Sequence, residues 1–211
     1  GQLGVATDAI VGFTETVTML GDTTNLVGDA AAQQIAKFAN IMIGTEGQTN
    51  EYFSRLGSSV VDLGNNFATT EADIMNMSMR LATAGRQVGF TSQDVLGLAT
   101  ALSSVGIEAA AGGGSMSKML KNVEYAVATN SEALQAFADV SGMSAEQFIQ
   151  LWGEDAPTAF GKLLEGIRKS ENITKTLDDL GITEVRMSNA MGALAQNTDL
   201  YWNAISKANS A

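Results

Sequence analysis

The run TSQDVLGLATALSSV, Thr91 to Val105, carries no formal charge after Asp94, and none follows until Glu108. Val95, Leu98, Ala99, Leu102 and Val105 fall at helical spacing, and the polar positions after Asp94 are only Gly, Thr and Ser. A helix that is apolar on one face and weakly polar on the other is covered on most of its circumference. The spacing therefore predicts a central, buried helix. Its start is well marked: Thr91 suits the N-cap, Asp94 sits at N3 for a capping-box exchange, and Phe90 and Val95 are placed as a hydrophobic staple. Gly89 closes the preceding helix as a left-handed residue just past its end.

Working outward, the triplet Gly112-Gly113-Gly114 reads as a flexible break after this unit, since it lacks the lysine that a phosphate-cradling loop needs. The device Gly, apolar residue, Ser or Thr recurs as Gly89-Phe90-Thr91, Gly142-Met143-Ser144 and Gly181-Ile182-Thr183. In each, one side chain between a helix-ending glycine and an N-cap contacts both helices and makes a short, rigid junction. Ser144 has Gln147 at N3 with a Met143/Phe148 staple, and Ile182 and Met187 are expected to staple a helix begun by Thr183.

Toward the N-terminus, Leu3, Ala6, Ile10, Phe13, Val17 and Leu20 alternate steps of three and four, an a/d-type stripe ended by Gly21-Asp22. The bland reading is one amphipathic helix; the sharper one is the end of a coiled rod entering from upstream. Helices are then expected from Val27 to Ile43, from Glu51 to Asn66, and after a Thr70 cap. The last has Ile74, Met77, Leu81, Ala84 and Val88 inward and Asp73, Asn76, Arg80, Thr83 and Gln87 outward. Toward the C-terminus, Met116, Met119, Leu120, Val123 and Val127 mark a sixth helix. Ser131 to Val140 is a short one, Pro157 opens the next, and Leu200 to Ala208 form the last. A methionine face fills core gaps more often than it forms an adaptable binding surface. No segment alternates with period two. The expectation is an all-α, compact multi-helix bundle of about ten to twelve short helices, one domain over 1–211 with a seam near 128–131.

Composition narrows the chemistry. The 211 residues include no Cys and no His, which removes disulfides, thiolate metal sites and imidazole catalysis. Acidic residues outnumber basic ones 23 to 12, a net charge of -11, which argues against stable nucleic-acid binding. The charge-free run Val95–Ile107 spans ~20 Å as a helix, short of the ~30 Å hydrocarbon core. The chain begins at Gly1 without an initiator Met, as expected of a fragment of something longer. Glu154-Asp155 and Asp178-Asp179 are adjacent carboxylates near helix ends, where balancing the dipole is the ordinary role. No residue is nominated as catalytic, cofactor-binding or metal-binding.

The run LGNNFATTEADIMNMSMRLATAGRQVGFTSQDVLGLATALSSVGIEAAAGGGSMSKML, residues 63–120, resembles the tape measure proteins of siphophages and prophages of Gram-positive bacteria. The likeness extends through LGDTTNLVGDAAAQQIAKFANIM (20–42), SGMSAEQFIQLWGEDAPTAFGKLLEGI (141–167) and LGITEVRMSNAMGALA (180–195). One departure is Gly114, where such proteins carry a Ser or Thr cap; the sixth helix is accordingly expected to start at Ser115. The resemblance implies a non-enzymatic virion protein of the tail tube lumen, made in the host cytoplasm, that scaffolds tube assembly, sets tail length and takes part in genome ejection. It implies as partners the tail tube protein, tail assembly chaperones and tail tip proteins, with self-association, and membrane contact only during ejection. The alternatives are a cell-wall-degrading or a membrane-active segment assisting genome delivery.

Overall fold

The computed structural model describes residues 2–26 and 28–211, and among these it contains twelve α-helices and no strand. The fold is an all-α multi-helix bundle. In order the helices are α1 (Ile10–Thr23), α2 (Gly28–Ile43), α3 (Asn50–Asn66), α4 (Glu71–Gln87), α5 (Ser92–Ser104) and α6 (Gly114–Thr129). There follow α7 (Glu132–Val140), α8 (Ala145–Glu154), α9 (Ala156–Lys169), α10 (Ile173–Asp179), α11 (Val185–Gln196) and α12 (Thr198–Ser210). The expected start of the second helix at Val27 lies outside the described residues.

The central helix is α5. Every residue from Ser92 to Leu102 is buried, polar ones included. Its capping box is complete: the Asp94 amide donates to Thr91 Oγ1 at 3.1 Å, and the Thr91 amide donates to the Asp94 carboxylate at 2.9 Å. Helices α3, α4, α11 and α12 pack around it. Close approach depends on two glycines. A Cβ on Gly97 would stand 2.8 Å from Ile205 Cα, so α12 crosses α5 almost backbone to backbone, and a Cβ on Gly85 would stand 2.7 Å from Val95.

The glycine junctions take the expected form. Gly89, Gly142 and Gly181 have φ of 92°, 74° and 76°. Each is followed by an amide that reaches back five residues, Phe90 to Gly85 O, Met143 to Ala138 O and Ile182 to Leu177 O, which satisfies a terminal carbonyl. Gly106, with φ 84° and an Ile107 to Leu102 O bond, repeats the device after α5. Ser144 and Gln147 complete a second capping box.

Four expectations are corrected. The glycine triplet is no flexible break: Ala109–Gly113 form a π-helical turn that runs directly into α6, so that helix is not capped at Ser115. Packing selects glycine here, since a Cβ on Gly113 would meet Arg80 Cβ at 2.6 Å. Thr183 caps nothing. Helix α11 begins at Val185, and the Glu184 carboxylate accepts from Ser115 Oγ on α6 at 3.0 Å. Ile182 and Met187 are both buried, but their offsets from this later start are not those of a staple. The first helix begins at Ile10 and not at Leu3, because Gly4 has φ 70° and a short 3₁₀ turn, Thr7–Ala9, intervenes.

The fourth correction concerns part of the α1 stripe. Leu20 is buried and Phe13 and Val17 pack against the core as expected, but Leu3 and Ile10 are exposed, and Gly12 and Thr16 share the inward face. Small residues are needed there because α1 lies very close to α3. A Cβ on Gly12 would come within 2.5 Å of Asn50 Cα, and one on Gly57 within 2.7 Å of Thr16. Thr16 Oγ1 donates to Phe53 O at 2.8 Å, and the Gly12 amide donates to Asn50 Oδ1 at 2.7 Å.

Candidate functional site

A groove of about 1070 Å³ has the outward face of α4 as its floor. The sequence places Asp73, Asn76 and Arg80 on one side of that helix, and they line the groove together. Helix α2 forms one wall with Gln33, Gln34 and Lys37; Gly106 to Ala110 form the other. Gln34 Nε2 donates to Asn76 Oδ1 at 2.6 Å and ties wall to floor. The π-helical turn sets the second wall, because Gly112 and Gly113 let Ile107 and the stem of Arg80 lie against it. Among the described residues neither Lys37 nor Arg80 is in an ion pair.

The polar side chains of this groove are the amides Asn25, Gln33, Gln34 and Asn76 and the Ser103 hydroxyl, with Lys37 and Arg80 balanced by Asp73 and Glu108. Such a surface hydrogen-bonds polar chains in either sense, as donor and acceptor. The groove was not foreseen as a unit, since it is assembled from α2, α4 and the Gly106–Ala110 segment. The one signal available was the clean polar register of α4.

The other sequence candidates take structural roles. Asp155 is the N-cap of α9, accepting from the Thr158 amide at 3.1 Å and from its hydroxyl at 2.7 Å. Glu154 accepts from Gln150. Asp179 pairs with Lys175 at 2.6 Å; that hydrogen bond and the charge behind it raise the lysine's pKa. Met116 and Met119 are fully buried, core filling and not a surface. Among the described residues no group of three or more acidic side chains is placed to hold a metal ion.

Two tyrosines are perturbed by burial. Desolvation pushes the Tyr52 hydroxyl up to about 12, against a smaller lowering by its 2.8 Å hydrogen bond with Ser92. Tyr201 is raised well above its ordinary value, first by burial and then by Asp94 and Asp155; its O–H donates to Pro157 O at 2.6 Å. Both hold helices together: Tyr52 links α3 to α5, and Tyr201 links α12 to α9. Two indoles do the same, Trp152 donating to Glu124 at 2.7 Å and Trp202 to Glu165 at 2.9 Å.

Comparison with known families adds what the geometry does not. The model of the phage-related minor tail proteins matches residues 1–181. The chain belongs to the phage-related minor tail protein family. No curated protein and no solved structure matches it. The matched part of this phage tail protein runs from α1 to the glycine after α10 and contains the α5 kernel and the whole groove; α11 and α12 lie beyond it. Its role is structural, in the tail of the virion, among other tail components. Among the described residues no single helix is long and apolar enough to cross a membrane; α5 and the Ala109–Thr129 helix pass that test only as a pair bent by 118°.

Proposed function

We propose that this tail protein is a segment of a tape measure protein, a single helical domain that scaffolds tube assembly, sets tail length and leaves ahead of the genome. One observation supports this most: short helices meet at single positive-φ glycines, Gly89, Gly106, Gly142 and Gly181. At all four, a Cβ would meet nothing within 4 Å. The compact form is thus held at its joints by backbone conformation. A change of φ and ψ at one residue straightens a joint without breaking the helices on either side. A protein that is compact when made and elongated inside a tube needs such joints. The resemblance of residues 20–42, 63–120, 141–167 and 180–195 to tape measure proteins points the same way.

In this reading the chain acts by shape and association, without turnover. It sits in the tube lumen and meets the tube protein, the assembly chaperones and the tail tip. Its net charge of -11 limits adhesion to the DNA that follows. The test is an in-frame deletion of Gly89 to Gly114 in the complete phage gene. Tails should be shorter or fail to assemble, and the purified chain should leave cell walls intact. Infectious tails of normal length, or release of muropeptides by the chain, would overturn the proposal.

A further inference from the structure

Helix α1 buries one side only: Gly12, Thr16 and Leu20 face the core with Phe13 and Val17 packed beside them, whereas Ile10 and Val11 face solvent. Of the six large hydrophobic side chains exposed among the described residues, Leu3, Ile10 and Val11 lie within nine residues of sequence. On α1 the outward arc holds Ile10, Val11, Thr14 and Thr18, all exposed and none charged. Uncharged outward faces are out of character for a chain of net charge -11. Adjacent exposed apolar side chains on an uncharged arc offer a surface for apolar contact.

Charge selects the occupant. Glu15 and Asp22 stand seven residues apart on α1, both are exposed, as is Asp8 in the turn before it, and among the described residues none joins an ion pair. A seven-residue spacing keeps side chains nearly in line along a helix. Glu15 stands one turn beyond Val11 and Asp22 one turn beyond Thr18, so the acidic line borders the uncharged arc. No Lys or Arg precedes Lys37. A second copy would set acidic line against acidic line, and an anionic membrane or nucleic acid would be repelled by the same residues.

We propose that the outward face of α1 docks an amphipathic helix of another protein, with an apolar ridge bordered by Lys or Arg at heptad spacing. Val11 and Ile10 bury against the ridge, and Glu15 and Asp22 pair with the basic border. The proposal goes beyond the tape measure reading and does not depend on it.

The experiment uses the 211-residue chain and two labelled three-heptad peptides with Leu at a and d, one with Lys and one with Glu at e and g, read by fluorescence anisotropy at physiological salt. The Lys peptide should bind about tenfold tighter than the Glu peptide, the worth of a few solvated ion pairs. Glu15→Lys with Asp22→Lys should reverse that order. Val11→Glu separates docking from general attraction, because it adds negative charge: docking predicts weaker binding of the Lys peptide, attraction to an acidic surface predicts tighter. Thr18→Glu repeats this test at a second exposed position, and circular dichroism verifies the fold of each variant. Equal binding of both peptides, or tighter binding by Val11→Glu, would overturn the proposal. So would a chain that sediments as a dimer, or binds neutral phosphatidylcholine vesicles, until Val11→Glu is introduced.

Discussion

Helices α5 and α1 both pass within backbone distance of a neighbour, yet one is covered all round and the other on one side only. In α5 the crossing with α12 at Gly97 sits among large apolar side chains, and the helix is covered on all sides from Ser92 to Leu102. In α1 the closest approach to α3 is made at Gly12 and Thr16, flanked by Phe13 against Phe53, while Ile10 and Val11 point away. Periodicity reports where apolar residues lie. It does not report which face is buried when the contact is made by small residues and backbone. Close approach is itself stabilising, because interior atoms at contact distance gain dispersion energy, but glycine carries no hydrophobic signal in a sequence.

The largest expected effect lies in α5. Leu102, fully buried, should cost ~2–5 kcal/mol when truncated to Ala, measured by chemical denaturation. Ile10→Ala and Val11→Ala, the same kind of truncation on the outward face of α1, should stay within ~0.5 kcal/mol of wild type. If the two helices lose comparable stability, the contrast between them fails.

A smaller effect separates the crossings themselves. Gly97→Ala and Gly12→Ala each place a methyl against backbone, at 2.8 Å from Ile205 and 2.5 Å from Asn50, and each should cost ~1–3 kcal/mol as overpacking. Glycine-to-alanine changes in a helix normally help by up to ~1 kcal/mol, so a lowered melting temperature is the decisive sign. A stabilised Gly12→Ala would mean that α1 stands off from α3.

Caps give the next step down. Thr91→Ala removes the anchor of a complete capping box and should cost ~1 kcal/mol, whereas Thr183→Ala removes an exposed side chain that makes no cap and should cost almost nothing. These two threonines stand in the same sequence device. What distinguishes them is long-range: Glu184 is held by Ser115 on α6, a contact between residues 69 apart in the chain.

Alkaline pH supplies the last and most diffuse comparison. Tyr52 has its folded pKa raised from 10.0 to about 12, so the fold favours its neutral form. That contribution is fully present below pH 10 and is lost as pH rises through about 12. Tyr201 acts in the same direction. Stability should therefore fall steeply above pH 10, and a Tyr52→Phe, Tyr201→Phe double variant should flatten that fall while being less stable at neutral pH through loss of the Ser92 and Pro157 hydrogen bonds.

Much of the fold was legible because its determinants are local. Thr70, Thr91 and Ser144 cap where their spacing says they should, and Gly89, Gly142 and Gly181 all adopt positive φ. What misled was tertiary in origin. Gly112 and Gly113 look like a hinge, yet they are chosen by the closeness of Ile107 and Arg80 to a π-helical turn. The groove was illegible for a related reason, as its walls come from segments that no sequence periodicity connects.

Tail length tests the tape measure reading most directly. Residues 1–211 duplicated in frame within the complete phage gene add a second set of helices, and a helix rises ~1.5 Å per residue, so a straightened copy spans roughly 300 Å. Electron microscopy of the resulting particles should show tails longer by up to that amount, with a uniform new length. Tails of unchanged length, filled and infectious, would contradict the account.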